Sequence, residues 1–299
     1  MWALTLVLCI IVNNIATNHG DKIDYAMRTI PSDDEWTDDD RRQCESPRPL
    51  NNTLLCYTHV LFYERLNTEL ISTEPIVVVF RDFAPYRDTE GFRNEANMIE
   101  REMLVGGDRK NLVVTPDERR NIRMLLGQRF EVLGLYNVAR MLERMKRMLP
   151  YLNFDSAEDW QVQKYFPLAH YPPHYDYERW DDLSERLGNR LATLLLIAKA
   201  PLKGGAVLFP LLNKTITYKE GDVILWMNAD TRGEMEKMTL HADCPVWEGE
   251  KVSASLNLRF RHQDLLRAPL KSGKFSLRKL THPRIEFIGM TPANVKKRR

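Results

Sequence analysis

The hydrophobic pattern changes character along the chain. Residues 3–12 form a run that is apolar apart from Thr5, followed by Asn13 and Asn14 and by small or polar residues from 16 to 20. That order predicts a secretory signal peptide over residues 1–20, since a membrane-crossing helix needs about 20 apolar residues. Residues 76–80 (IVVVF) are β-branched and short, which predicts a buried strand. Thr115-Pro116-Asp117-Glu118 places a capping residue, a first-turn proline and two acids in helix-starting order, and Leu125 and Leu126 continue that pattern. Val138, Met141, Leu142, Met145 and Met148 recur at helical spacing, so these methionines read as core packing. Beyond Trp160 come short strand-like runs broken by turn residues, at 163–165, 174–177, 191–197, 207–209, 223–226 and 253–260. Helices followed by many short strands predict an α+β chain with a sandwich or open-barrel core such as a jelly roll.

Composition narrows this only slightly. The chain has 299 residues, 43% hydrophobic and 28% charged, with a mean hydropathy of -0.42, as in folded soluble proteins. A net charge of +2 gives no reason to expect nucleic acid as a partner. No segment after the signal is apolar for long enough to span a membrane. Charge is unevenly placed, however. Residues 21–58 form an acidic lead-in with Asp33, Asp34, Glu35, Asp38, Asp39 and Asp40, expected to stay solvated. Residues 265–299 form a tail with ten Lys or Arg and a single acid, Glu286. Between them, 59–264 reads as the functional domain. The secretory route places the chain in the endoplasmic reticulum lumen or outside the cell. Cys9 leaves with the signal, so three cysteines remain: Cys44, Cys56 and Cys244. Cys44 and Cys56 share a loop-like stretch and are expected to form a disulfide in that oxidising compartment, with two free thiols as the alternative. Asn51 and Asn213 head N-x-Thr triplets and are candidate glycosylation sites.

The candidate chemistry starts at His174-Tyr175-Asp176. On a strand, residues two apart share a face, so an imidazole and a carboxylate would converge. His241 supplies a second imidazole. Two His and one carboxylate form the facial triad of non-haem Fe(II) oxygenases, leaving positions open for co-substrate and O₂. Lys251 lies ten residues beyond His241. A buried lysine there needs an anion, which a dicarboxylate chelating the iron would supply. Thr193 and Tyr165 could each add a hydrogen bond to that co-substrate.

Residues 158–260 resemble the catalytic domain of prolyl 4-hydroxylases, the 2-oxoglutarate dioxygenases that hydroxylate proline in collagen and related proteins. The segments EDWQVQKYFPLAHYPPHYDY, GNRLAT, GGAVLFP, EGDVILWMN and HADCPVWEGEK carry the resemblance, in the family's order. A weaker likeness extends it to about residues 44–263. It implies a double-stranded β-helix (jelly-roll) core with N-terminal supporting helices. It further implies Fe(II) on His174, Asp176 and His241, and 2-oxoglutarate on Lys251, Thr193 and Tyr165. Tyr171 would stand near the substrate proline and act in catalysis. Gly204-Gly205 would turn the chain where a side chain would crowd the barrel. Cys244 would be a buried thiol. The implied reaction is 4-hydroxylation of peptidyl proline in collagen-like or proline-rich secretory chains. It consumes O₂, releases succinate and CO₂, and has L-ascorbate to keep the iron reduced. Only about 23 residues lie between the expected cleavage and Cys44, which implies a short form without the family's N-terminal peptide-binding region. Protein disulfide isomerase is the assembly partner known for the long subunits.

The departures concern groups near the substrate. Leu168-Ala169 stand where the family has a glycine pair, Ile197 where it has a tyrosine, and Asn257 and Arg259 where it has tryptophan and histidine. They keep open a non-catalytic subunit that holds proline-rich or collagen chains, and a dioxygenase that acts on another peptidyl residue.

Overall fold

The computed structural model describes residues 36–47, 55–106, 112–114, 121–126, 135–178, 186–263 and 274–275. The expected signal peptide, Asn51, the 115–118 helix start and most of the basic tail lie outside these residues. In chain order the elements are α1 (Asp38–Glu45), β1 (Leu55–Leu61), β2 (Glu64–Thr73), β3 (Ile76–Arg81), α2 (Tyr86–Gly106), β4 (Leu112–Val114), β5 (Asn121–Leu126) and α3 (Tyr136–Met148). Then follow β6 (Trp160–Tyr165), β7 (Tyr171–His174), β8 (Arg190–Lys199), β9 (Lys203–Gly204), β10 (Val207–Phe209) and β11 (Lys214–Ile216). The chain closes with β12 (Val223–Met227), β13 (His241–Asp243), β14 (Val246–Glu248) and β15 (Lys251–Arg259).

Among the described residues the strands form a nine-stranded sheet in the order β1-β2-β3-β12-β8-β15-β6-β5-β4, a four-stranded sheet in the order β11-β10-β13-β7 and a two-stranded ribbon of β14 and β9. Every pairing is antiparallel. The two sheets face each other, as in a jelly roll, with the longer helices on the outer face of the large one. Strand periodicity sorts the side chains. From β3, Val77 and Val79 point between the sheets while Val78 and Phe80 point to the helices. From β12, Ile224 and Trp226 face inward and Val223 and Leu225 outward. Both faces are buried, which is why these strands read as continuous apolar runs. α3 lays Val138, Met141, Leu142, Met145 and Met148 onto the same outer core.

Three local expectations change. Leu125 and Leu126 lie on β5, not on a helix, because this segment pairs with β6 in register Met124↔Val162 and sheet pairing overrides a two-leucine signal. The acidic block is only partly solvated. It builds α1, whose N-cap Thr37 and Asp40 form a reciprocal capping box, with Asp40 buried. Finally, Cys44 pairs with Cys244, not with Cys56. α1 packs on the outer face of the small sheet, with Trp36 and Cys44 against Ala206, Leu208, Ala242 and Cys244. That brings the two Cα atoms to 5.4 Å. Cys56 belongs to β1, at the edge of the other sheet, so closeness in sequence does not become closeness in space. Cys244 is therefore a half-cystine and not a buried thiol.

Candidate metal centre

β7 and β13 are neighbours in the small sheet, and His174 stands directly opposite His241. The rings therefore share a face, with centroids 4.3 Å apart. β7 ends at His174, so Asp176 is not its same-face neighbour on a strand. The bend that follows carries its carboxylate back to the two rings. Ligand atoms of the three residues lie within 4.8 Å of one another. His174 Nε2 is 3.8 Å from Asp176 Oδ1, and His241 Nε2 is 3.7 Å from Oδ2.

Backbone carbonyls fix the tautomers. His174 Nδ1 faces the Pro172 carbonyl at 2.9 Å and His241 Nδ1 faces that of Thr239 at 2.9 Å. Each Nδ1–H donates there, which leaves both Nε2 lone pairs turned to the same point as the carboxylate. Burial, and then the neighbouring His241, lower the His174 pKa to about 4, so its ring is neutral at pH 7. Burial opposes ionisation of Asp176, but His241, His174 and the Thr193 hydroxyl outweigh it and hold its pKa below the ordinary value. Two imidazoles with converging Nε2 atoms and a carboxylate on one face fit ferrous iron.

Behind Asp176 stands a hydrogen-bonded support. Thr193 donates to Asp176 Oδ2 at 2.6 Å, and Asn228 Nδ2 donates to the Thr193 hydroxyl at 2.9 Å. Thr193 thus serves the ligand carboxylate. Asn257 Oδ1 lies 3.0 Å from the same hydroxyl. Trp226 packs 4.7 Å from the His241 ring, and Tyr171 meets His174 edge-on at 4.4 Å. Arg259 is buried in a charge-balanced network with Arg190, Glu158 and Glu178.

Lys251 and Tyr165 come together, but around a residue that the sequence reading passed over. The Lys251 ammonium is fully buried and lies 2.5 Å from Asp243 Oδ1. Tyr165 donates to Asp243 Oδ2 at 2.6 Å. Burial favours the neutral forms, yet each partner outweighs it. Asp243 is held below the usual carboxylate range and Lys251 above its own. The available signal was the spacing H-A-D, which puts a carboxylate on the face of the ligand histidine. A cavity of about 250 Å³ opens over the triad, lined by Tyr171, Thr193, Trp226 and Asp243 among others. Gly204 closes one side of the fold at φ +82, where a Cβ would meet the Pro245 carbonyl at 2.3 Å. Asn213 is exposed, in the left-handed conformation.

No family model matches the chain. The alpha-1 subunit of prolyl 4-hydroxylase from Bos taurus is 37% identical over 120 residues, covering 39% of this chain and 22% of that protein. The alpha-2 subunit from Gallus gallus is 35% identical over 132 residues, covering 44% and 24%. The chain therefore matches about a fifth to a quarter of these relatives' length, and over that part it is similar to prolyl 4-hydroxylase alpha subunits. Among solved structures, a viral collagen prolyl hydroxylase from Paramecium Bursaria Chlorella virus-1, in its 2OG complex, is 28% identical with a TM-score of 0.41, covering 61% of this chain and 95% of that one.

Proposed function

We propose that this prolyl 4-hydroxylase relative is an Fe(II)- and 2-oxoglutarate-dependent dioxygenase that hydroxylates peptidyl proline at the 4-position in collagen-like secretory chains. The observation that carries the reading is the convergence of His174, Asp176 and His241, each imidazole locked by its own carbonyl. A facial triad of this kind leaves coordination positions open on the cavity side.

Bound iron, with 2-oxoglutarate and O₂, supplies the oxidising chemistry that inserts oxygen into a C–H bond and releases succinate and CO₂. The chain's own residues set the stage. The backbone carbonyls of Pro172 and Thr239 and the Thr193 hydroxyl orient the three ligands. Lys251 and Tyr165 offer a cation and a phenol to the distal carboxylate of the co-substrate. Trp226, Phe209 and Val207 keep water from the inner wall. Tyr171, beside His174 and partly exposed, positions the substrate proline at the mouth. L-ascorbate would keep the iron ferrous, and the endoplasmic reticulum would supply both nascent collagen-like chains and protein disulfide isomerase.

The test is turnover with Pro-Pro-Gly repeat peptide, Fe(II), 2-oxoglutarate and ascorbate. Peptide-dependent succinate and a mass gain of one oxygen are expected, both abolished by Asp176→Ala. Full activity in Asp176→Ala would falsify the reading. A second reading, a non-catalytic subunit that holds proline-rich chains, is favoured by Asp243 already neutralising Lys251. Peptide binding without succinate, from protein shown to hold iron, would decide for it. Succinate with oxygen on a residue other than proline would keep the chemistry and move the substrate.

A further inference from the structure

Asp243 lines the cavity at the end where Lys251 lies behind it. It lies on β13 two residues after His241 and lines the cavity, whereas the fully buried Lys251 does not. Anything entering over the metal triad therefore meets the Asp243 carboxylate before the Lys251 ammonium. That ammonium is already satisfied, by Asp243 Oδ1 at 2.5 Å and by the Gly205 carbonyl at 3.0 Å. The rings of Tyr165 and Tyr218 flank it at 5.1 and 5.2 Å. The Tyr165 hydroxyl lies 2.6 Å from Asp243 Oδ2 and 2.7 Å from Gln163 Oε1.

We propose that Asp243 is a built-in occupant of the cationic anchor, holding the place at Lys251 and Tyr165 that the distal carboxylate of a 2-oxo diacid must take. The inference rests on the co-substrate reading above and deepens it. One ammonium and one carboxylate balance in this buried wall. A dicarboxylate adds a second carboxylate, and among the described residues the other cation lining the cavity, Arg190, is already engaged by Glu158 and Glu178, so either the two carboxylates repel or Asp243 must swing away and leave its own charge unpaired. A 2-oxo acid with a neutral tail, such as pyruvate, chelates metal without reaching Lys251 and escapes the conflict. Asp243 thereby sets selectivity by repulsion, lowering affinity for 2-oxoglutarate relative to neutral-tailed 2-oxo acids.

The experiment is anaerobic calorimetry of the Fe(II)-loaded full chain with 2-oxoglutarate and, separately, pyruvate. The native chain is compared with Asp243→Ala and with the isosteric Asp243→Asn, each first shown to bind Fe(II). Removing the charge is expected to tighten 2-oxoglutarate binding about tenfold or more, the scale of close charge couplings. Pyruvate binding should change by less than about threefold, because its tail carries no charge to pair or repel. Unchanged or weaker 2-oxoglutarate binding in both variants overturns the inference and leaves the dioxygenase reading standing. If native and variant proteins bind iron but neither 2-oxo acid, both fall together.

Discussion

Thr193 stands one hydrogen bond behind the candidate metal triad, its hydroxyl donating to Asp176 Oδ2. Thr193→Val keeps the shape and removes the bond. The expected result is about 10- to 100-fold weaker Co(II) or Fe(II) binding in a metal titration, the usual cost of losing a group that orients a ligand. Thr193→Ser should restore most of it. A Val variant with native metal affinity would show that the carboxylate needs no such support. What was legible at this scale follows from chemistry. A metal demands imidazoles and carboxylates, so His174, Asp176 and His241 stand out by type. Thr193 is different, because a hydroxyl suits a co-substrate and a ligand carboxylate equally, and only its packing beside Asp176 decides. For Asp243 the H-A-D spacing signals the shared face but not the partner. Its role depends on where Lys251 ends, and β15 brings that lysine back from eight residues away.

At the scale of elements, Cys44–Cys244 joins the short helix α1 to the residue that follows β13, across 200 residues of sequence. Closing so long a loop restricts the unfolded chain, and removing such a bridge typically costs about 2–5 kcal/mol. Cys44→Ser is expected to lower the denaturation midpoint accordingly, and non-reducing peptide mapping should recover a Cys44–Cys244 fragment. A Cys44–Cys56 fragment instead would contradict this packing of α1. The bridge was hidden in the sequence because the turns between Cys44 and Cys56 suggest a local loop, while the contact with Cys244 requires the whole small sheet. Other elements show the same division. β3, β8 and β12 are buried on both faces and announce themselves as apolar runs. Among the described side chains of α2, the buried apolar ones are Phe92, Ala96 and Ile99, a narrow stripe that leaves no comparable mark. β7 stops two residues short of Asp176, because the ligand geometry needs a bend there and strand alternation does not provide it.

Across the whole molecule, the site and the fold share their electrostatics. In the metal-free chain the pKa of His174 is lowered to about 4, chiefly because the half-buried ring is desolvated and then because His241 is near, whereas an ordinary histidine titrates at 6.5. Between those values the unfolded chain takes up a proton that the folded chain refuses, so stability rises with pH across this window and is lost as pH falls through it. The lowered pKa values of Asp176 and Asp243 act in the same direction, but below the ordinary carboxylate value of 3.8. The metal-free protein should therefore melt at progressively lower temperature from pH 7 to pH 4. Metal binds the folded state through deprotonated ligands and adds stability by mass action, so the loaded protein should melt higher at pH 7. That gap should close as acid competes for the same nitrogen and oxygen atoms. Melting curves with and without Co(II), taken at intervals across that range, test both parts. A metal-free midpoint that stays level or rises on acidification would mean that His174 is not held neutral by the fold. A gap that persists undiminished to pH 4 would mean that the added metal binds somewhere other than the triad.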